Sequence, residues 1–234
     1  MKRFALVAAV FASAAASAAS QPTQIEAQYV VTTNGGITIG RASEVFSRKG
    51  DSYSIRSETR SDGALKAFLD DQITVESTGR VDKQEGLQPL QYTERRAKDG
   101  KRDLKNTFDW KINVMHTELR GEPSDYWFPP GVQDRISVMY QFVHMKELGE
   151  TLVVPMADRR KVNTYTYKFV GQELTTTLAG DFDTRHYRRM TTDPKDTKVD
   201  VWLAKDRHNF PVRVIYDDPK GYKLEQQLVA LETR

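Results

Sequence analysis

The chain of 234 residues contains no cysteine. Disulfides are therefore excluded, and so is lipid attachment through an N-terminal cysteine. Long apolar runs are also missing. The longest, Phe4 to Phe11, falls well short of the roughly 20 apolar residues needed to span a bilayer as a helix. No Gly-x-Ser-x-Gly elbow is present, nor a glycine-rich phosphate loop ending in Lys-Ser or Lys-Thr. The four histidines, His116, His144, His186 and His208, lack ligand spacing, so no metal site or other cofactor is expected. Neither sign of charge dominates, with 35 basic against 32 acidic residues. Nucleic-acid binding would call for a basic face. The densest basic cluster, Arg185 to Arg189, alternates along a strand-like stretch, so no nucleic-acid partner is expected.

The first twenty residues are the most informative. Lys2 and Arg3 precede the apolar run, and a tract of Ala and Ser follows it. This is the order of a secretory signal peptide, with cleavage after Ala18 or Ala19. The expected organisation is a leader over residues 1–19 and one domain over 20–234, located in the periplasm and not lipidated. Without its leader the chain has 33 basic residues and is nearly neutral. An exported chain without disulfides must be held by its core, and at this size folding buries roughly 70% of the unfolded surface.

Period-two patterning dominates the rest. Asn34-Gly35-Gly36 between Tyr29–Thr33 and Ile37–Phe46 is the clearest hairpin signal. Further strands are expected at Ser52–Ser61, Ile73–Val81 and Leu87–Arg96. Phe108, Trp110, Ile112 and Val114 share one parity, which predicts another strand there. Thr151–Pro155, Lys161–Phe169, Leu174–Leu178, Asp181–Met190, Lys198–Ala204, Phe210–Tyr216 and Lys223–Leu231 continue the theme as further expected strands. About eleven short strands at hairpin spacing predict an all-β protein, an antiparallel open or closed barrel-like curved sheet. One segment departs from this. Asp134 can cap a helix to about Lys146, with Ile136, Met139, Tyr140 and Val143 on one apolar stripe and Val138, Phe142 and Met145 on another. A helix apolar on most of its circumference is a buried one, here inside or capping the sheet. A shorter helical turn is expected over Ala64–Leu69.

The opening Tyr29-x-Val31, Gly36-Ile37-x-Ile39-Gly40 and Gly86-Leu87-x-Pro89 come first along the chain. Phe108-Asp109-Trp110, Asp134-Arg135-Ile136-Ser137-x-x-Tyr140-Gln141, Val201-Trp202-Leu203 and Phe210-Pro211-Val212 follow in that order. Together they resemble a family of exported bacterial proteins known only as a domain of unknown function. The resemblance implies an all-β envelope protein and carries no catalytic residue with it. A looser likeness, of architecture alone, is to the half-barrel carriers of bacterial lipoproteins.

Candidate sites are few. Asp70-Asp71 and Asp217-Asp218 are adjacent carboxylates, which point to opposite sides in a strand and suit turns better than acid–base work. Ser137 and His144 would lie about 10 Å apart along a helix, too far for a nucleophile and its base. Asp134 and Ser137 instead suit a capping pair. In Tyr126-Trp127-Phe128, three consecutive aromatics cannot all face one core if extended, so at least one should be exposed or line a pocket rim. The candidate ligand-binding residues are therefore Tyr126, Trp127, Phe128, Ser137, Tyr140, Gln141 and His144. The expected function is non-enzymatic: binding an apolar small molecule such as a lipid or acyl chain, or holding an envelope component during assembly. The alternative is a protein-interaction module whose edge strands engage an envelope protein, with a hydrolase as the remaining enzymatic reading. If the leader acts as proposed, Leu6→Arg or Val7→Arg interrupts its apolar run. Fractionation and immunoblotting should then find unprocessed precursor in the cytoplasm, and normal processing in the periplasm would refute the signal-peptide reading.

Overall fold

A computed structural model describes residues 21–62, 72–145 and 147–234. The leader, the Ala64–Leu69 turn and the Asp70-Asp71 pair lie outside the described residues. β1 (Gln24–Thr33) and β2 (Ile37–Lys49) meet across Asn34-Gly35-Gly36, where both glycines take the positive φ such a turn requires. β3 (Ser52–Ser61), β4 (Gln72–Asp82), β5 (Gly86–Arg96), β6 (Leu104–Asp109), β7 (Val114–Leu119) and β8 (Glu122–Trp127) follow as a meander. After helix α1 (Ser137–His144) the meander resumes with β9 (Thr151–Asp158), β10 (Lys161–Thr177) and β11 (Gly180–Arg189). It ends with β12 (Lys198–Ala204), β13 (Phe210–Asp217) and β14 (Lys223–Thr233).

These 14 strands form one curved, unclosed antiparallel sheet ordered β8-β7-β6-β5-β4-β3-β2-β1-β14-β13-β12-β11-β10-β9. The first and last strands are thus central neighbours, paired from Ile25 opposite Thr233 to Thr33 opposite Leu224. β8 and β9 are the edges. The segment before α1 closes on the β9 edge, where Gln133 N–H donates to Pro155 O (2.9 Å) and Ala157 N–H to Gln133 O (2.8 Å). From the other side, Thr117 donates to the Arg159 carbonyl, and Arg160 to the Leu119 carbonyl and the Glu122 carboxylate. Among the described residues the seam is bridged by these groups and by no continuous ladder. Among the described residues no helix is long and apolar enough to cross a membrane.

Two sequence expectations need correction. The alternating Phe108–Val114 stretch is not one strand. β6 ends at Asp109, whose Oδ1 accepts the Lys111 N–H (2.8 Å), and Asn113 sits at φ 55°. An Asx turn and a left-handed residue reverse the chain there, placing Val114 opposite Asp109 and leaving Ile112 59% exposed. The parity was coincidental. In contrast, Lys161–Phe169 and Leu174–Leu178, read as separate strands, belong largely to the single β10, broken by a bulge between Phe169 and Gly171.

The helix is shorter than expected at its start. Asp134 to Ile136 form its capping turn, with Asp134 Oδ1 accepting the N–H groups of Ile136 (3.0 Å) and Ser137 (2.7 Å). Ser137 Oγ accepts the Asp134 N–H in return (2.9 Å), a reciprocal cap. At the other end Met145 is extended, so the helix stops at His144. Both apolar stripes are buried, on different sides. Ile136, Tyr140 and Val143 join a large core with Phe46, Tyr53, Phe128 and Phe210. Val138 and Phe142 join a second core with Leu152, Val154, Tyr187, Val201 and Val214. Tyr140→Ala and Phe142→Ala should therefore each cost about 3–5 kcal/mol in thermal or denaturant unfolding, the range for aromatic truncations in a core. A helix resting on a surface would instead show one of the two changes within about 0.5 kcal/mol of the native protein.

Candidate functional site

The polar residues of Asp134 to His144 anchor the helix to the sheet. Asp134 has no exposed surface, and its Oδ2 accepts the Ser77 hydroxyl (2.5 Å), which in turn meets Tyr53 Oη (3.1 Å). Burial pushes the Asp134 carboxyl above the ordinary range, while these hydrogen bonds pull the other way. Gln141 reaches the β4–β5 turn, accepting the Leu87 N–H and donating to the Glu85 carbonyl, each at 2.7 Å. Gly86 lies directly beneath it at φ +82°, where an added Cβ would stand 2.5 Å from Gln141 Oε1. Gln133 Nε2 donates to the Leu87 carbonyl (2.7 Å). The Gly86-Leu87 and Asp134–Gln141 motifs are thus two halves of one joint.

Tyr140 Oη donates to Glu44 Oε2 (3.1 Å) and Ser57 Oγ to Oε1 (3.3 Å). Glu44 itself is half-buried, with its carboxylate held by fully buried Tyr140. Enclosure raises its pKa to about 7, against the two hydrogen bonds that lower it. His144 is buried, with Nδ1 3.0 Å from the Tyr140 carbonyl and its ring against Phe46, and desolvation holds its pKa below the ordinary value. Phe128 is fully buried against Phe108 and Trp110, Tyr126 is half-buried against the same core, and Trp127 is 65% exposed. The three aromatics indeed do not share a face.

None of the seven candidate ligand-binding residues lines the open space next to the helix. That space is a groove of about 830 Å³ beside the second core. Val138, Met139, Phe142, Met156, Val199 and Val201 supply apolar walls, with Tyr165, Tyr167 and Tyr216 among them. Charged residues also line it: Arg135, Lys161, Arg189 and Lys195 against Asp158 and Asp196. The Arg189 guanidinium lies over the Tyr165 ring (4.6 Å) and donates to the Thr197 carbonyl. Arg135 stands 3.7 Å from Glu94 and 3.8 Å from Asp158. Sequence reasoning missed this groove. Its one local signal was the odd-numbered set Lys161, Asn163, Tyr165 and Tyr167, a row too polar to read as a core face.

A second cleft, about 840 Å³, opens on the outer face of β5–β7 and is lined by Arg95, Lys101, Lys105 and Arg120 together with Asp99, Asp103 and Glu118. The Arg185–Arg189 cluster is dispersed by its own partners: Arg185 donates to the Leu148 carbonyl, while His186 and Arg188 both engage Asp200.

A single curved antiparallel sheet wrapped around one short helix defines a barrel-like protein with a lateral groove. The chain belongs to the family described as "Protein of unknown function (DUF3108)", whose model matches residues 28–227. Its fold is similar to that of a β-barrel-like protein of domain of unknown function DUF1849 from Brucella abortus, at 15% identity and a TM-score of 0.61, covering 92% of this chain and 99% of that one. Weaker likenesses are to a candidate lipoprotein from Parabacteroides distasonis (10% identity, TM-score 0.39, 91% and 96% covered) and a candidate exported protein with a YmcC-like fold from Bacteroides fragilis (13%, 0.34, 91% and 96%). At these identities the likeness concerns the fold alone. No curated protein matches the chain.

The raised carboxyl at Glu44 has a measurable signature. Between pH 4.5, its ordinary value, and about 7, the folded protein holds a proton there that the unfolded chain has released. This contribution to stability is complete below the lower value and is lost as pH rises through the upper one. Glu44→Gln should match the native protein near pH 4 and exceed it by up to about 3 kcal/mol near pH 8, measured by denaturant unfolding across pH. Parallel stability curves for the two proteins would show that Glu44 does not titrate in this window.

Proposed function

We propose that this is an exported, non-enzymatic envelope protein that binds the apolar chain of an amphiphile in the groove beside α1. The observation that carries this reading is the groove itself. Its volume of about 830 Å³ is in the range of small-molecule sites, and its helix side is apolar through Val138, Met139 and Phe142. In this reading Ser137, Tyr140, Gln141 and His144 serve the ligand indirectly, by holding the helix whose neighbouring residues meet it. Export rests on the leader-like order of residues 1–19. Gentle extraction from the native envelope followed by native mass spectrometry should reveal a bound lipid-sized mass. Met156→Trp, which fills the groove from β9, should remove it while the protein stays folded. Repeated absence of any bound mass in the native protein would sink the carrier reading.

A second reading has its own observation. β9 pairs with β10 only as far as Lys168, and beyond it β10, paired with β11 on one side, has no ladder on its other side among the described residues, where Val170 and Leu174 are 51% and 66% exposed. Such an edge accepts an added strand from an extended segment of an envelope protein. Trp127, exposed on edge strand β8, would belong to a surface of the same kind.

A further inference from the structure

Within the groove, Arg135 is paired only loosely, in ion pairs with Glu94 and Asp158 that include no hydrogen bond. The Arg135 guanidinium makes no hydrogen bond among the described residues, since its nearest carboxylate oxygens, at 3.7 and 3.8 Å, are beyond hydrogen-bond reach. Glu94, the more buried of the two, is already held by Arg96 and Arg159, each at 3.1 Å. Arg135 keeps 48% of its side chain accessible and lines the groove. Lys161 and Lys195 line the same space, and neither forms an ion pair among the described residues. The apolar wall begins one helical turn after Arg135, at Val138 and Met139, and ends at Phe142, about 6 Å further along the axis. A charged end in the capping turn and an apolar run on α1 are therefore laid out in sequence.

We propose that the ligand carries an oxyanion head group, a carboxylate or a phosphate monoester, on a single acyl chain, and that Arg135 binds that head. This rests on the groove reading above and adds the chemical class of the ligand. A guanidinium presents paired N–H donors that match both head groups bidentately, and the lysines at the groove add unpaired positive charge. The chain then lies against Val138, Met139 and Phe142, with its head beside the capping turn.

Isothermal titration of the full-length purified protein with three probes of equal chain length tests this. The probes are dodecanoate, dodecyl phosphate and neutral monolauroylglycerol, each below its micellar concentration. Both anions, or the one whose head is the natural type, should bind about ten-fold or more tightly than the neutral probe, as expected for one desolvated charge-assisted contact. Arg135→Gln should abolish that preference and leave monolauroylglycerol within about two-fold of its native affinity. Because Arg135 lies near buried Glu94, Lys195→Glu provides a second variant, which should weaken the anionic probes selectively. Dodecanoate against dodecyl phosphate separates the two sources of the oxyanion. Equal binding of all three probes, or an equal loss of all three in folded Arg135→Gln, would overturn the head-group assignment and leave the groove standing. Failure of every probe to bind the native protein would remove the groove reading and this one together.

Discussion

Asp134 is a carboxylate with no exposed surface, and the position of everything inside the sheet depends on how the three hydrogen bonds it accepts are shared. Two go to the start of α1 and one to Ser77 on β4, while the Ser137 hydroxyl closes the turn from the other side. One side chain thus caps a helix and rivets it to a strand 57 residues away. A helix of eight residues has no independent stability in water. It exists here because the sheet satisfies its end and buries both of its apolar sides. Gln141 supplies the second rivet, on the β4–β5 turn, and the pair together fix the rotation of the helix about its axis as well as its depth.

That fixed rotation explains why the interior is asymmetric. Tyr140 is directed to the rings of Phe46 on β2 and Phe210 on β13, in the core where aromatic residues pack densely and the space is filled. Phe142 and Val138 face β9 to β13, where the long β10 contributes tyrosines, an asparagine and a lysine in place of aliphatic residues. Polar side chains at inward positions do not pack to the density of a hydrocarbon core, so the interior remains open on that side. The groove is in this sense the residue of unequal filling around one well-anchored helix.

Much of the fold was legible because antiparallel strands with one wet face write their period directly into the sequence. Ser52–Ser61 and Lys198–Ala204 match the observed strands residue for residue, and Asn34-Gly35-Gly36 marks its hairpin. The helix was legible from its two stripes and from Asp134 and Ser137 at capping distance. Failures arose where side chains override periodicity. Asp109 and Asn113 turn the chain inside an alternating run, and the short strands β7 and β8 are too polar to show an apolar parity. The site was harder still. Which residues of β10 and β12 come to face Arg135 is decided by sheet curvature and by the bulge near Gly171, and neither is encoded in any single segment. The polar stripe Ser137, Gln141 and His144 was visible, but its partners, Leu87 and the backbone around it, are uniform main-chain groups with no side-chain signature.

The pairing of β1 with β14 has a kinetic meaning. Strands β1 to β8 form one run of nearest-neighbour hairpins and β9 to β14 another, and among the described residues the only continuous ladder joining the two runs is made by β1 and β14. Contacts between residues some 200 positions apart are the slowest to form, because the whole intervening chain must be closed as a loop before they are rewarded. A chain emerging N-terminus first can build its first meander early, but the edge of β1 stays bare until the C-terminal strand arrives. Under the export proposed above, with the chain crossing the membrane unfolded, this arrangement would delay completion of the sheet until the entire chain is on one side.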